Sequence, residues 1–128
     1  MNNEFVHLHC HSTYSMLDGL SKIEDLVSTA KKYGQRAMAL TDHGNMHGAI
    51  YFYDTCNQLG IKPIIGLEAY VAPTSRLTKS KEAGQKAFHH LTLLAYNEVG
   101  YKNLMSISTD SYLYGFYYKP RTDFEVLS

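Results

Sequence analysis

Three histidines alternate with apolar residues near the start of the chain, in the run His7-Leu8-His9-Cys10-His11. A β-strand sends alternate side chains to opposite faces, so this pattern predicts a strand with His7, His9 and His11 on one face. Imidazoles are costly inside a parallel sheet unless each has a hydrogen bond or a metal. Two interpretations are open from this run alone: a metal-binding face, or partly exposed histidines on an edge strand.

Length, charge and cysteine content narrow the class of protein. The 128 residues, 45% of them hydrophobic, suffice for one domain with a core. Twelve basic and twelve acidic residues give a formal charge of zero, so no overall field favours nucleic acid or anionic lipid. The chain has two cysteines, no signal peptide and no long apolar run, which predicts a cytoplasmic protein without a membrane segment. We expect Cys10 and Cys56 to be packed thiols rather than ligands.

Hydrophobic periodicity predicts strands at 7–11, 37–41, 63–71 and 90–95, and a helix at 98–112. The first helix is expected to begin with a Ser-x-x-Glu capping box at Ser21 and to end at Gly34. The second helix is expected to be capped by Asn45, to end at Gly60, and to have an inner face of Met46, Ala49, Ile50, Tyr53 and Cys56.

This order indicates an α/β fold of about four βα units with parallel strands. A doubly wound sheet and part of a barrel both fit. The missing Gly-x-Gly-x-x-Gly turn and the polar residues at strand ends favour the barrel. The segment 73–88 is expected to be a solvated surface loop rather than a phosphate-contacting one, although it carries four basic residues, Arg76, Lys79, Lys81 and Lys86.

The predicted strand ends gather a set of metal-ligating side chains, namely His9, His11, Asp18, His43, Glu68 and His90. Imidazole combined with carboxylate suits zinc, manganese or iron better than calcium or magnesium. The set exceeds the needs of one ion, so we expect two or three divalent metals, with Glu68 able to bridge. Such clusters favour in-line displacement at phosphorus, which predicts phosphoester hydrolysis. Ordinary structural roles also remain open, with Asp18 and Asp42 as helix caps or turn formers and His89 at the surface.

Several motifs resemble those of the PHP (polymerase and histidinol phosphatase) superfamily: His9-x-His11, Thr41-Asp42-His43, Gly66-Leu67-Glu68 and His90. Longer stretches resemble the PHP domain at the N-terminus of bacterial DNA polymerase III alpha subunits, over essentially the whole chain. These stretches are residues 5–19, 41–53, 60–73, 90–104 and 115–121. No exonuclease domain interrupts the chain between Glu68 and His90, so the resemblance is to the DnaE type.

The resemblance implies the N-terminal part of a distorted (β/α)7 barrel, with residues 1–128 forming a PHP domain truncated at its C-terminal end. It implies a first metal on His9 and His11, and a second on Asp18 and His43. Glu68 would bridge the first metal to a third, which His90 would also bind. The implied activity is 3′–5′ exonuclease proofreading on a DNA primer 3′ end, with Glu68, His43 and Asp18 as catalytic residues. The implied partners are the remaining polymerase domains and other replisome subunits. His7 is expected to orient a ligand.

Two other functions remain open. The domain could be a metal-stabilised scaffold for the polymerase, or a stand-alone phosphatase. An aromatic cluster would form an interdomain surface in the first case, although such rings can also stack on single-stranded DNA; it comprises Tyr112, Tyr114, Phe116, Tyr117 and Tyr118. His90 raises one conflict: it stands at the start of its predicted strand, which would place it at the wrong end of a parallel barrel.

Overall fold

The computed structural model describes residues 5–80 and 83–128. Its elements, in chain order, are α1 (Ile23–Lys32), β1 (Ala37–Leu40), α2 (Ala49–Leu59), β2 (Lys62–Val71), β3 (His89–Leu94), α3 (Glu98–Leu113), β4 (Arg121–Thr122) and α4 (Phe124–Leu127). The predicted α/β class is confirmed. Among the described residues, no helix combines the length and apolar character needed to cross a membrane.

The four strands form one sheet in the order β1-β2-β3, with β4 also paired to β2. Strands β1 and β4 run parallel to β2. Strand β3 runs antiparallel to β2, with His89 opposite Val71 and Leu94 opposite Gly66. The prediction of parallel strands is therefore wrong for β3. Parallel neighbours require a crossover, usually a helix, whereas the described part of 72–88 contains none and returns the chain beside the end of β2.

The predicted first strand is extended chain with little ladder pairing. Its one β-bridge joins His7 to Met38. The carbonyls of His7 and Cys10 accept hydrogen bonds from the N–H groups of Ala39 and Thr41 at 2.8 and 2.9 Å, and the N–H of Cys10 donates to Oγ1 of Thr41. The prediction of a regular strand over residues 7–11 is therefore wrong, because the N–H of Cys10 donates to a side chain instead of to a strand partner.

Helix α1 lacks the predicted capping box. Its N-cap is Lys22, which makes no side-chain capping hydrogen bond. The carboxylate of Glu24 instead accepts a hydrogen bond from the hydroxyl of Tyr51 on α2. The predicted role of Ser21 as cap is wrong because Glu24 bonds to the neighbouring helix.

Helix α2 begins at Ala49 after the cap residue Gly48, not directly after Asn45. The Asn45 amide instead joins the preceding turns, since its Nδ2 donates to the carbonyls of Tyr14 and His43. Of the predicted inner face, Ile50 and Tyr53 are 65% and 50% exposed. The buried side chains of this helix are Ala49, Phe52, Thr55 and Cys56. Gly60 ends the helix in the left-handed conformation, as predicted.

The main core lies between α1, α2 and the start of the sheet. Its buried members are Ile23, Val27, Ala30, Met38, Leu40, Phe52, Cys56 and Ile61. A smaller cluster, Leu67, Ala69 and Leu104, joins β2 to α3. Cys56 is a packed thiol, as expected, and its burial raises its pKa to about 11. Ile65 packs against the first cluster, and Leu67 and Ala69 belong to the second, so both clusters hold the strand that carries Glu68.

The segment between β2 and β3 is anchored, not simply solvated. Nε of Arg76 lies 2.6 Å from Oδ1 of Asp110, and its Nη1 lies 3.2 Å from Asp123 and 3.1 Å from Glu125. The prediction of a solvated loop is therefore wrong at Arg76, because three carboxylates of the following elements bind its guanidinium. Lys81 lies outside the described residues.

Arg121 of β4 also holds the segment between β2 and β3. Its guanidinium donates to the carbonyls of Ala87, Arg76 and Thr78, and its Nε donates to the carbonyl of Gly115. These hydrogen bonds hold the residues that lead into His90, so β4 helps to position the start of β3.

Candidate metal centre

The structure brings all six predicted donor residues together. Three triplets have ligand atoms within 4.8 Å of one another: His9 with His11 and Glu68, His11 with Asp18 and His43, and His43 with Glu68 and His90. His9 and His11 come from the extended N-terminal segment, and Asp18 comes from the turn that follows it. His43 follows β1, Glu68 lies in β2, and His90 lies in β3. The triplets share members, so the donors form one continuous cluster.

Glu68 is the centre of this cluster. Its side chain is buried, and its Oε2 lies 2.7 Å from Nε2 of His9 and 2.9 Å from Nε2 of His11. The same oxygen lies 3.4 Å from Nδ1 of His43, while Oε1 lies 2.5 Å from Nδ1 of His90. One carboxylate therefore faces four imidazoles. Oε2 lies near His9, His11 and His43, and Oε1 lies near His90.

Electrostatics favours the ligand forms of these groups. Burial by itself raises the pKa of Glu68, but the hydrogen bond with His9 and the charges of His43 and His90 outweigh it, so the pKa lies below its usual value. Burial, followed by repulsion from His43, lowers the pKa of His11. Metals bind ionised carboxylate and neutral imidazole, which are the forms that these two shifts favour.

The donor set fits a divalent metal. Nδ1 of His43 is buried and has no hydrogen-bond partner among the described residues. Nε2 of His9 and Nε2 of His11 lie only 3.2 Å apart beside the same Glu68 oxygen. A shared cation satisfies unpaired nitrogens of this kind. The triplets contain imidazole and carboxylate without thiolate, and Cys10 belongs to none of them, which is the chemistry preferred by zinc, manganese or iron.

Asp18 and His43 form the solvent-facing side of the cluster. Oδ2 of Asp18 lies 2.7 Å from Nε2 of His43, and the Asp18 side chain is 62% exposed. The His43 ring stacks on His11 at 4.1 Å and on Tyr70 at 5.9 Å between centroids. Gly44 permits this packing, since a Cβ there would lie 2.7 Å from the Tyr70 ring and its φ is +62°.

A buried network behind the donors was not foreseen from the sequence, which suggested a turn-forming role for Asp42. Asp42 accepts hydrogen bonds from the N–H and Oγ of Ser12 at 2.7 and 2.8 Å, and from Oγ of Ser15 at 2.6 Å. Oγ of Ser15 in turn accepts from the N–H of His43 and lies 3.2 Å from Nδ1 of His11. The signal available in the sequence was the two serines, Ser12 and Ser15, that follow His11 within four residues.

The remaining histidines near the site lie outside the donor triplets. The ring of His7 packs edge-to-face on Phe5 at 4.7 Å, and its predicted role in orienting a ligand stays a prediction. His89 is exposed and pairs with Val71, which agrees with its expected place at the surface.

Comparison with known proteins identifies the family. The sequence profile of the family described as PHP domain matches residues 7–128. The chain belongs to the PHP domain family. This PHP domain is 56% identical over 124 residues to DNA polymerase III subunit alpha of Treponema pallidum, covering 97% of the chain and 11% of that protein. The subunit of Borreliella burgdorferi is 55% identical, with coverages of 94% and 10%, and that of Aquifex aeolicus is 48% identical, with coverages of 99% and 11%.

These relatives confirm the resemblance to the polymerase type of PHP domain. The chain spans about a tenth of the length of the curated relatives it matches.

Two solved structures share the fold. A protein of Bifidobacterium adolescentis, provisionally assigned as a metal-dependent phosphoesterase, superposes with a TM-score of 0.60 at 19% identity, covering 84% of this chain and 33% of that one. An amidohydrolase from Chromobacterium violaceum gives a TM-score of 0.54 at 23% identity, with coverages of 82% and 34%. The prediction of a partial PHP barrel is confirmed at the level of fold.

Proposed function

We propose that the chain is the N-terminal portion, residues 1–128, of the PHP domain of a bacterial DNA polymerase III alpha subunit of the DnaE type. Support comes from the alpha subunits of three bacteria, which are 48–56% identical over at least 94% of the chain. Its partners are then the remaining polymerase domains and other replisome subunits, and its compartment is the cytoplasm. We assign DNA-directed polymerisation to those remaining domains.

The proposed chemistry of this domain is hydrolysis of the phosphodiester at the 3′ end of a DNA primer. The observation that carries it is the buried Glu68 carboxylate, which shares its two oxygens among His9, His11, His43 and His90. These donors would hold two or three divalent ions of zinc, manganese or iron, which when bound would supply an activated hydroxide and stabilise the oxygens of a displacement at phosphorus. The result is 3′–5′ exonuclease proofreading.

The chain's own side chains have distinct roles in this proposal. His9 and His11 would hold a first metal, and the exposed Asp18 with His43 would hold a second. Glu68 would bridge the first metal to a third, which His90 would also bind. Glu68, His43 and Asp18 are the proposed catalytic residues. Asp18 faces solvent, so it is the carboxylate that an incoming strand meets first. Asp42 and Ser15 position His11 and His43 through the buried network.

The test uses the full-length alpha subunit that this proposal implies. Metal content is measured by plasma mass spectrometry, and 3′–5′ digestion is measured on a mismatched primer. His43→Ala should abolish digestion and leave polymerisation intact. His47→Ala is the matched control, because His47 is exposed and belongs to no donor triplet, and it should retain both activities. Wild-type protein without bound metal would overturn the proposal.

A second candidate function is a non-catalytic, metal-stabilised scaffold. It is favoured by three large aromatic side chains, Tyr112, Tyr114 and Phe116, that are 42–58% exposed near the end of α3, since clustered exposed apolar surface marks interaction sites. Bound metal without digestion in wild type would select this function. A stand-alone phosphatase is less well supported, because the similar curated proteins are polymerase subunits.

A further inference from the structure

A cleft opens beside the donor cluster. Its volume is about 620 Å³, and it is lined by Lys86, Ala87, Phe88, His89, His90 and Tyr118. This volume lies within the roughly 300–1,000 Å³ typical of small-molecule sites. His90 is shared between the two features, since its Nδ1 lies 2.5 Å from Oε1 of Glu68. A molecule in the cleft would therefore contact the donor cluster directly.

Two aromatic rings form walls of this cleft. The ring of Phe88 stacks on His90 at 5.9 Å with an interplanar angle of 13°, and contacts Tyr70 edge-to-face at 4.7 Å. These two contacts hold Phe88 in one orientation. The Tyr118 side chain is 69% exposed, so its ring is open to an incoming planar group.

Tyr118 has a strained backbone that its turn maintains. Its φ is +61°, a conformation that bulky residues rarely adopt. The N–H of Tyr117 donates to the carbonyl of Lys119 at 3.0 Å, which closes the turn around Tyr118. The Tyr117 ring lies 5.0 Å from the guanidinium of Arg121 and 4.6 Å from the Tyr118 ring. Strain of this kind concentrates at functional sites, and here it presents an aromatic ring at the cleft.

The charge of the cleft favours an anion. Lys86 is exposed on its wall and makes no ion pair with the described residues. Lys119 follows Tyr118, with its Nζ 5.6 Å from the centroid of the Tyr70 ring. Arg76, by contrast, is bound by the carboxylates of Asp110 and Asp123. Lys86 and Lys119 are therefore cations that can meet a phosphate near the donors.

We infer that this cleft binds the terminal nucleotide of a nucleic-acid strand, with the base against Tyr118 and Phe88 and a backbone phosphate at Lys86. Stacking on aromatic side chains is the sequence-tolerant way in which proteins hold single strands. The inference rests on the proposed function, and it names the subsite that presents the last phosphodiester to the donor cluster. A phosphate monoester without a base would leave the aromatic walls unused.

The test measures binding separately from hydrolysis, in the full-length alpha subunit. The probe is a single-stranded DNA ten-mer with 2-aminopurine at its 3′ end and a phosphorothioate at the last linkage. Stacking on Tyr118 should quench the fluorescence of the terminal base. Tyr118→Asn removes the ring while keeping a residue that tolerates positive φ. We expect it to abolish most of the quenching and to raise Kd roughly tenfold, with unchanged metal content.

Lys86→Ala should make the negative slope of log K against log salt concentration shallower by roughly 0.7, the contribution of one phosphate contact in single strands. The matched controls are Tyr96→Asn and Lys62→Ala. Tyr96 is 98% exposed at a different cleft, and Lys62 is exposed at the start of β2. Both controls should bind as wild type does. A probe with an abasic 3′ terminus should be insensitive to Tyr118→Asn.

The two proposals fail in different ways. Quenching that depends on Tyr118, without digestion of an unmodified strand, would uphold the cleft and overturn the exonuclease. Digestion of that strand, with quenching and Kd unchanged in both Tyr118→Asn and Lys86→Ala, would uphold the exonuclease and overturn the cleft. Absence of quenching in the wild type would also overturn it.

Discussion

His90 lies opposite Tyr70 in the antiparallel β2–β3 ladder, two residues beyond Glu68 along β2. An antiparallel strand begins at the edge where its partner ends. The start of β3 is therefore at the carboxyl end of β2, and Nδ1 of His90 reaches Oε1 of Glu68 at 2.5 Å. Strand direction resolves the conflict raised by the sequence, in which His90 stood at the start of its strand and was expected at the wrong end of a parallel barrel.

Replacement of His90 should remove one ligand of the proposed metal site formed by His43, Glu68 and His90. His90→Ala leaves the triplet of His43, Glu68 and His90 with two donors, while His9 and His11 keep Glu68. We expect the metal content of the full-length protein to fall by about one ion per chain, as measured by plasma mass spectrometry. His89→Ala is the control, because His89 is adjacent to His90 in the sequence but belongs to no triplet. Equal metal content in the two variants would contradict the assignment.

Asp42 should control the order of the donor-bearing turn. Asp42→Ala leaves the N–H of Ser12 and the hydroxyls of Ser12 and Ser15 without their buried acceptor. We expect a local cost of about 3 kcal/mol, which corresponds to about hundredfold faster amide hydrogen exchange in residues 10–19. Hydrogen exchange with mass spectrometry measures it. Asp54→Ala, at an exposed position of α2, should leave this exchange unchanged.

Acid should weaken the contact between the Asp123 carboxylate and Arg76. Burial by itself raises the pKa of Asp123, but hydrogen bonds from the N–H groups of Arg76 and Val126 and the Arg76 charge lower it below its model-compound value of 3.8. Since the folded pKa is the lower one, the carboxylate stabilises the fold above pH 3.8, and this contribution is lost as pH falls through the folded pKa.

Pepsin cleavage near residues 73–80 and 121–128 should therefore rise steeply below about pH 4 in the wild type. Asp123→Asn should cleave faster than the wild type at pH 5, and the difference should shrink as the pH falls. A constant ratio of the two cleavage rates between pH 5 and pH 2.5 would argue against this role of Asp123.

Cys56 should be inert in the folded protein. Its side chain is fully buried and burial raises its pKa to about 11, so almost no thiolate exists at pH 8. We expect no carbamidomethylation of Cys56 by iodoacetamide at pH 8, and complete modification in 8 M urea, as read by peptide mass mapping. Rapid modification under native conditions would show that α2 does not pack on α1 as described.

The local features were predictable because they depend on neighbours in the sequence. Strand β1 at Ala37–Leu40, β2 at Lys62–Val71 and helix α3 at Glu98–Leu113 lie within about two residues of the predicted ranges. The inner face of α2 was mispredicted at Ile50 and Tyr53, which are exposed. Ile50 and Tyr53 fit the helical spacing of an apolar face. Which face of α2 is buried depends on the side that α1 and the sheet cover.

The sequence by itself determined which imidazole and carboxylate side chains are present and where each occurs along the chain, because residue type and position need no knowledge of packing. Tertiary structure alone decided that β3 runs antiparallel, that Glu68 faces four histidines, and that Asp42 binds the serines beside His11. These relationships join residues about 20 to 60 positions apart in the chain. They depend on which segments pair and pack, and spacing along the chain does not specify that choice.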